Sequence, residues 1–487
     1  MALLVFGAVL VLSVIIALMS KKGAIGSSMD DVMTASGSFG AFLIFFVSVG
    51  EIYSIGTMIG APGSVYAKGA TYGMWFICYI LLSYVLGYFL NPSIWRMGQL
   101  AKAVSIGDLI GWRYNSKALQ VIVALVGIGF LTPWIQNQFA GMAILFEYLD
   151  IGVTFFAGVL ISSALAFAYI AIAGIRAPAW VSVLKDFLLI VSIVTVGIAA
   201  VVHMDGGVGG IFRTVAETRP DMLIIESDPI TKNVTFVMST IAFQMLGFYM
   251  LPISFQALLT SKNEKNLRKN TIYMPMYMIM FPFLIIAAYY AVATIPNLEN
   301  QDFALLAIVV ETLPDWCIGL VAGAGALTAI LVMAITALCV GGLFSKNILG
   351  VIKPDMPQSK MAVWTRVATG VFLVFGVLTA LYFPALMANV VTLAYGGLSQ
   401  TFFAVALGFV WKKATKWGMG AGIITGVGTL AFIINVMDAS PLGMNPGFWA
   451  IVMNLVVVVV VSLFTKPDAE TTRRFELYRS TVPNRVK

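Results

Sequence analysis

Mostly apolar runs of twenty or more residues recur from Ala2 to Thr465, and nothing else in the chain limits its fold so tightly. A run of that length crosses a hydrocarbon core of roughly 30 Å as a helix, where each backbone amide must find its partner inside the protein. Reading the runs between polar breaks gives thirteen helices near 2–19, 38–66, 70–95, 117–147, 151–174, 177–202, 233–259, 272–295, 315–348, 360–383, 385–411, 415–437 and 446–465. They are called helices 1 to 13 in that order. With 60% hydrophobic and 10% charged residues, a soluble fold would expose far too much apolar surface. The expected class is an all-α membrane protein, with residues 1–466 forming one transmembrane domain and 467–487 a short cytoplasmic tail. Helix 1 is not read as a signal peptide, because it lacks a basic start and runs into Ser20-Lys21-Lys22.

The net charge of +7 bears on orientation and not on nucleic acid, since the basic residues sort by side. With the N-terminus outside, the inner connections collect Lys21, Lys22, Arg96, Lys102, Arg113, Lys117, Arg176, Lys262, Lys265, Arg268, Lys269, Lys346, Lys353, Lys360, Arg366, Lys412, Lys413 and Lys416, and the tail adds Arg473, Arg474, Arg485 and Lys487 among others. The outer connections hold only Lys68, Arg213, Arg219 and Lys232, beside acids such as Glu226, Glu299, Asp302 and Asp315. Such a split sets an N-outside, C-inside topology in the cell membrane. Cys78, Cys317 and Cys339 show no ligand spacing and read as core residues, so neither a disulfide nor a metal site is expected. His203, the single histidine, falls at an outer helix end, which argues against a histidine relay.

Two helices look interrupted. Helix 2 contains Gly50, Gly56, Gly60 and Pro62-Gly63, and helix 7 contains Gly247 and Pro252 among polar residues. They stand first and sixth in the stretch from helix 2 to helix 11, which divides into two groups of five with opposite orientation, about 38–202 and 233–411. Broken helices at matching positions of an inverted repeat mark a solute site at mid-membrane depth, where unwound backbone offers carbonyls and amides.

Five segments, in order, resemble the solute:sodium symporter family over nearly the whole chain: GTMIGAPGSVYAKG (56–69), SIGDLIGWRYNSK (105–117), GIRAPAW (174–180), PISFQALLTSKNEKNLRKN (252–270) and AGALTAILVMAITALCVGGLFSKN (324–347). The resemblance implies a LeuT-like fold with a core of two inverted five-helix repeats. It also implies a sodium ion held by two carbonyls of the first broken helix, at Gly50 and Tyr53, and by hydroxyls of helix 9, in the region of Ala329, Val332 and Met333. Here the chain departs from the family. Val332 and Met333 stand where the family has Ser and Thr, Ile335 and Thr336 replace the following Asp and Ser, and Val181 and Ser182 replace the Thr-Asp after the arginine motif of helix 6. Valine and a thioether supply no hard oxygen, so the sodium site is expected to be vacated.

A charge stands in the same region. Lys185 and Asp186 lie roughly two turns into helix 6, Lys185 three residues after Ser182 and on about the same face, and Glu51 adjoins Gly50 in helix 2. Buried ions need partners, so Lys185 is expected to pair with Glu51 or Asp186 and to put its ammonium where sodium would sit, with protons as the alternative coupling ion. Solute contacts are expected from Tyr53 and Ser54 on helix 2, Trp134, Gln136 and Gln138 on helix 4, Gln244, Phe248 and Tyr249 on helix 7 and Tyr395 on helix 11. The function expected is sodium-independent secondary transport of a small polar organic solute, with lipid as the surrounding solvent and no cofactor. The alternatives are a transporter-like sensor that signals through a partner and a sodium symporter with a displaced ion site. No nucleophile with a base, ligand cluster or phosphate loop points to an enzyme.

Overall fold

The structure, a computed structural model, describes residues 1–21, 28–150, 152–225, 234–382, 387–437 and 439–482. Lys22, Glu226, Lys232, Arg485 and Lys487, which entered the charge count above, lie outside the described residues. The chain is all-helical, without strands among the described residues. Eleven helices there are long and apolar enough to cross a membrane, and two bent pairs, Ala41–Ile52 with Gly56–Lys68 and Val234–Met250 with Pro252–Leu259, bring the total to thirteen.

Most expected boundaries shift by only a few residues, and the larger differences have local causes. Helix 8 starts at Glu264, ahead of the expected 272, because the Asn263 side chain accepts the Asn266 amide and caps a polar first turn that lies outside the apolar run. Helix 3 continues to Ala101 and helix 9 to Ile352. Five helices of 6 to 13 residues occupy connections in which the apolar-run reading placed none: Met29–Thr34, Ile106–Arg113, Gly207–Thr218, Ala304–Thr312 and Ala469–Thr481.

Both breaks have identifiable chemistry. In helix 2 the chain leaves helical geometry at Tyr53 (φ −86°, ψ 80°), and the Ser54 hydroxyl accepts the Gly56 amide at 3.1 Å, taking over one of the donors freed by the break. The halves bend by 52°. In helix 7 Leu251 is extended (φ −57°, ψ 125°) directly before Pro252, as the ring of a following proline demands, and the bend is 45°.

Helix 9 is the pillar of the bundle. Of its apolar stretch 94% is buried, against 22% for helix 1, and small residues let neighbours come close: a Cβ on Gly323 would lie 3.0 Å from Val9 and one on Gly325 3.0 Å from Leu145. At the end rich in Lys and Arg, called here the basic face, two of the sequence segments quoted above meet. The Asp108 carboxylate takes Lys346 Nζ at 3.0 Å and Asn347 Nδ2 at 2.6 Å, while Ser105 Oγ donates to Asn347 Oδ1 at 2.7 Å. The helix Ala469–Thr481 docks on the same face. Buried Arg113 donates to Gly408 O at 2.7 Å and Thr471 O at 3.1 Å and lies over the Phe475 ring, and Tyr478 packs on Phe409 with ring centres 5.4 Å apart.

Candidate functional site

Helix 6 brings Lys185 and Asp186 against the break in helix 2. Gly50 permits the approach: a Cβ there would stand 3.1 Å from Ser182 Cβ and 3.5 Å from Asp186 Oδ2. Lys185 Nζ donates to Gly50 O at 3.2 Å and Tyr53 O at 3.0 Å and pairs with Asp186 Oδ1 at 2.5 Å. An ammonium carries three hydrogens, and these three oxygens take one each. Of the two carboxylates open to Lys185 from the sequence, Asp186 is thus the direct partner, and Tyr277 OH also donates to its Oδ1 at 3.0 Å. Ser182 turns its hydroxyl back to Ala179 O at 2.8 Å. Glu51 is fully buried, interacts electrostatically with Lys185, and has no hydrogen-bond partner on either carboxyl oxygen. It does not cap the break; Ser54 does. Ala329, Val332 and Met333 are fully buried in helix 9.

Rings join the two breaks. Tyr53 stacks on Tyr277 at 4.5 Å and its hydroxyl meets that of Tyr84 at 2.6 Å; Tyr84 stands edge-on to Phe248, in the helix 7 break, at 5.7 Å. From Phe248 the row continues through Tyr79 (6.4 Å) and Tyr395 (5.5 Å) to Trp134 (5.9 Å). Tyr249 packs on Phe248 at 5.0 Å, and Gln244 accepts from Trp75 Nε1 at 2.5 Å. The expected Tyr53, Trp134, Phe248, Tyr249 and Tyr395 therefore belong to one aromatic body. Tyr79, Tyr84 and Tyr277 also belong to it, and Trp75 joins through Phe76; these four were missed, because aromatic residues are common in membrane bundles and nothing in their spacing sets them apart.

Helix 4 closes the other side. Asn137 lies against Gly56 and Gly141 against Ile55, where a Cβ would come within 2.9 Å of Ile55 Cγ1. Trp134, Asn137, Gln138 and Gly141 share this face at helical spacing, whereas Gln136 projects from another side and is only half-buried. Gln136 is thus not brought together with the others. Asn137 went unnoticed although the run Trp-Ile-Gln-Asn-Gln carried the signal, since the residue three after Trp134 shares its face and is the asparagine. Excluding Gln136, every expected solute or coupling residue from Glu51 to Tyr395 is only 0 to 3% exposed, so the site is closed.

The face opposite the basic one is sealed by the turn Gln301–Phe303 between helices 8 and 9. Asp302 Oδ2 accepts the Met387 amide of helix 11 at 3.3 Å, and a Cβ on Gly63 of helix 2 would lie 2.7 Å from Asp302 Cα. Burial pushes the Asp302 carboxyl up to about 7.

This architecture has known counterparts. The sequence profile of the sodium:solute symporter family matches residues 32–426. The chain belongs to the sodium:solute symporter family. Among relatives of this symporter-family protein, the uncharacterized symporter YhjB of Bacillus subtilis (strain 168) is 28% identical over 481 residues, covering 96% of this chain and 97% of its own. The monocarboxylate transport permease protein of Rhizobium johnstonii is 24% identical, covering 87% of this chain and 88% of its own. In three dimensions it is similar to a sodium-coupled sialic acid symporter in a substrate-bound outward-open state, with a TM-score of 0.82 at 16% identity over 96% of this chain and 98% of that one. That likeness establishes the LeuT-like fold, and the family is one of solute transporters in membranes.

Proposed function

We propose that this protein carries a small polar organic solute across the cytoplasmic membrane by alternating access, without sodium, the Lys185 ammonium standing in for the ion and Glu51 taking a proton. One observation carries the reading: the Lys185 hydrogens occupy the Gly50 and Tyr53 carbonyls that the family resemblance assigns to sodium. Val332 and Met333 offer no hard oxygen to complete an ion shell. Glu51 follows from charge balance. The pair Lys185–Asp186 is neutral by itself, so a buried carboxyl with no donor is stable only as the acid or beside another cation. Relatives of this family carry names that specify organic acids, which fits a small polar solute.

The test is uptake into proteoliposomes with sodium and proton gradients imposed separately. Replacing sodium by choline is expected to leave the rate unchanged, while collapsing the proton gradient lowers it. A sodium symporter with a displaced ion site is favoured by one observation, the buried Thr336 hydroxyl and Glu51 carboxyl without partners, and a saturable sodium dependence would establish it instead.

The same reading sets the N-terminus outside and the basic face in the cytoplasm. An impermeant thiol reagent is expected to label a cysteine replacing Thr218, and not one replacing Asn266, in intact cells. The opposite pattern inverts the orientation.

A further inference from the structure

We infer that the helix 4 face built from Trp134, Asn137 and Gln138 is the recognition edge for the solute, and that the group it recognises is a planar donor–acceptor end, a protonated carboxyl or a carboxamide. The inference rests on the transporter reading and adds the solute class to it. Asn137 is fully buried, yet neither its Oδ1 nor its Nδ2 has a partner, although the side chain lies directly against Gly56 at the helix 2 break. One turn away the Trp134 indole N–H is also unpartnered, and Gln138, whose Nε2 donates to Trp134 O at 3.1 Å, leaves its Oε1 without a donor. Buried polar groups in proteins are overwhelmingly satisfied, and three exceptions on one helix face, between the unwound backbone and the aromatic row, mark where a solute completes the set.

The chemistry of the edge selects the solute. A carboxamide offers one donor and one acceptor side by side, which a COOH or CONH2 group matches with two parallel hydrogen bonds. A carboxylate can take the N–H donors but leaves the Asn137 and Gln138 oxygens without a donor. Nor, among the described residues, is a buried cation free to receive one: Lys185 has spent its three hydrogens, and Arg96, Arg113 and Arg176 are engaged at the basic face with Glu264, backbone carbonyls and Asp31. With no free cation to balance a carboxylate, an acid must enter together with a proton.

Thermal unfolding of the detergent-solubilised full chain tests this with lactate, lactamide and methyl lactate as probes, because a ligand bound only by the folded state raises the midpoint. Lactamide is expected to stabilise the wild type equally at pH 6 and pH 8. Lactate is expected to need about tenfold more for each pH unit, the mark of one proton taken up with it. Methyl lactate, which lacks the donor at that end, is expected to have no effect. Asn137→Ala should weaken the stabilisation at least tenfold, and the nearly isosteric Asn137→Asp should remove it for lactate. Stabilisation by lactamide but not lactate assigns amides, and by both assigns acids as well. The inference is overturned if methyl lactate matches lactate, if no probe stabilises the wild type, or if either variant shifts the midpoint without solute while responding to the probes as the wild type does. A wild type that binds the probes but moves none of them sinks the transporter reading and leaves the recognition edge in place.

Discussion

Lys185→Ala is expected to abolish transport and to cost about 3–5 kcal/mol of stability, the usual range when one member of a buried ion pair is removed. The substitution leaves the Asp186 carboxylate in a dry environment with only the Tyr277 hydroxyl for company and frees the Gly50 and Tyr53 carbonyls at the break. Lys185→Ala with Asp186→Ala removes both charges and should fold better than either single variant, a coupling that a double-mutant cycle measures from unfolding midpoints. Lys185→Arg keeps the charge but presents a planar fork of five donors to a pocket that fits three, so folding is retained in part and transport is lost. A last variant separates ion replacement from mere structural support. Adding Val332→Ser and Met333→Thr to Lys185→Ala restores hydroxyls at the helix 9 positions that the family resemblance assigns to the ion, and transport is expected to return with a dependence on sodium. Wild-type uptake by Lys185→Ala would show the side chain to be a bystander.

The second large effect is a pH dependence centred on Asp302. Its carboxyl lies at about 7 in the closed arrangement, against an ordinary 3.8, because burial disfavours the anion. The sign follows from which state holds the proton more tightly. The closed, folded arrangement does, so its advantage is complete below pH 4 and declines as pH rises from 4 to 7, by roughly 4 kcal/mol in all at 1.36 kcal/mol per unit. Tyr66 and Lys68 of helix 2, Tyr148 and Glu147 of helix 4, and Glu299 and Glu311 of the same connection are the titratable groups on the elements around it, and the Met387 amide is the donor that its carboxylate holds. Asp302→Asn removes the ionisation. It is expected to be more stable than the wild type at pH 8, with the difference shrinking towards pH 4. A difference that stays constant across this range would show that Asp302 does not titrate with closure. Opening of this side should accordingly be easier in alkaline medium.

The bundle was legible before any coordinates because a membrane leaves the backbone few choices: apolar length fixes the spans, the K/R distribution sets an expected side for each loop, and Gly and Pro in helices 2 and 7 announce the breaks. The connections were less legible. Ala469–Thr481 is a polar helix held by contacts with Arg113 and Phe409, and hydropathy is blind to such an element. The polar start of helix 8 is fixed by the Asn263 cap, which no apolar run reveals.

At the centre the division is sharper. By itself the sequence determined that charges lie within apolar spans and that Val332 and Met333 offer a cation no hard oxygen, since both follow from residue type and position along a span. It left Lys185 with two possible partners, because Glu51 and Asp186 are equally acidic and only the crossing of helices 2 and 6 at Gly50 fixes which oxygen comes within 2.5 Å. The aromatic row and the unpartnered edge of Asn137 are likewise tertiary. They arise where helices 2, 3, 4, 7, 8 and 11 converge, and hydrogen-bond satisfaction in a dry interior is a property of that convergence, which no single helix can carry in its own residues.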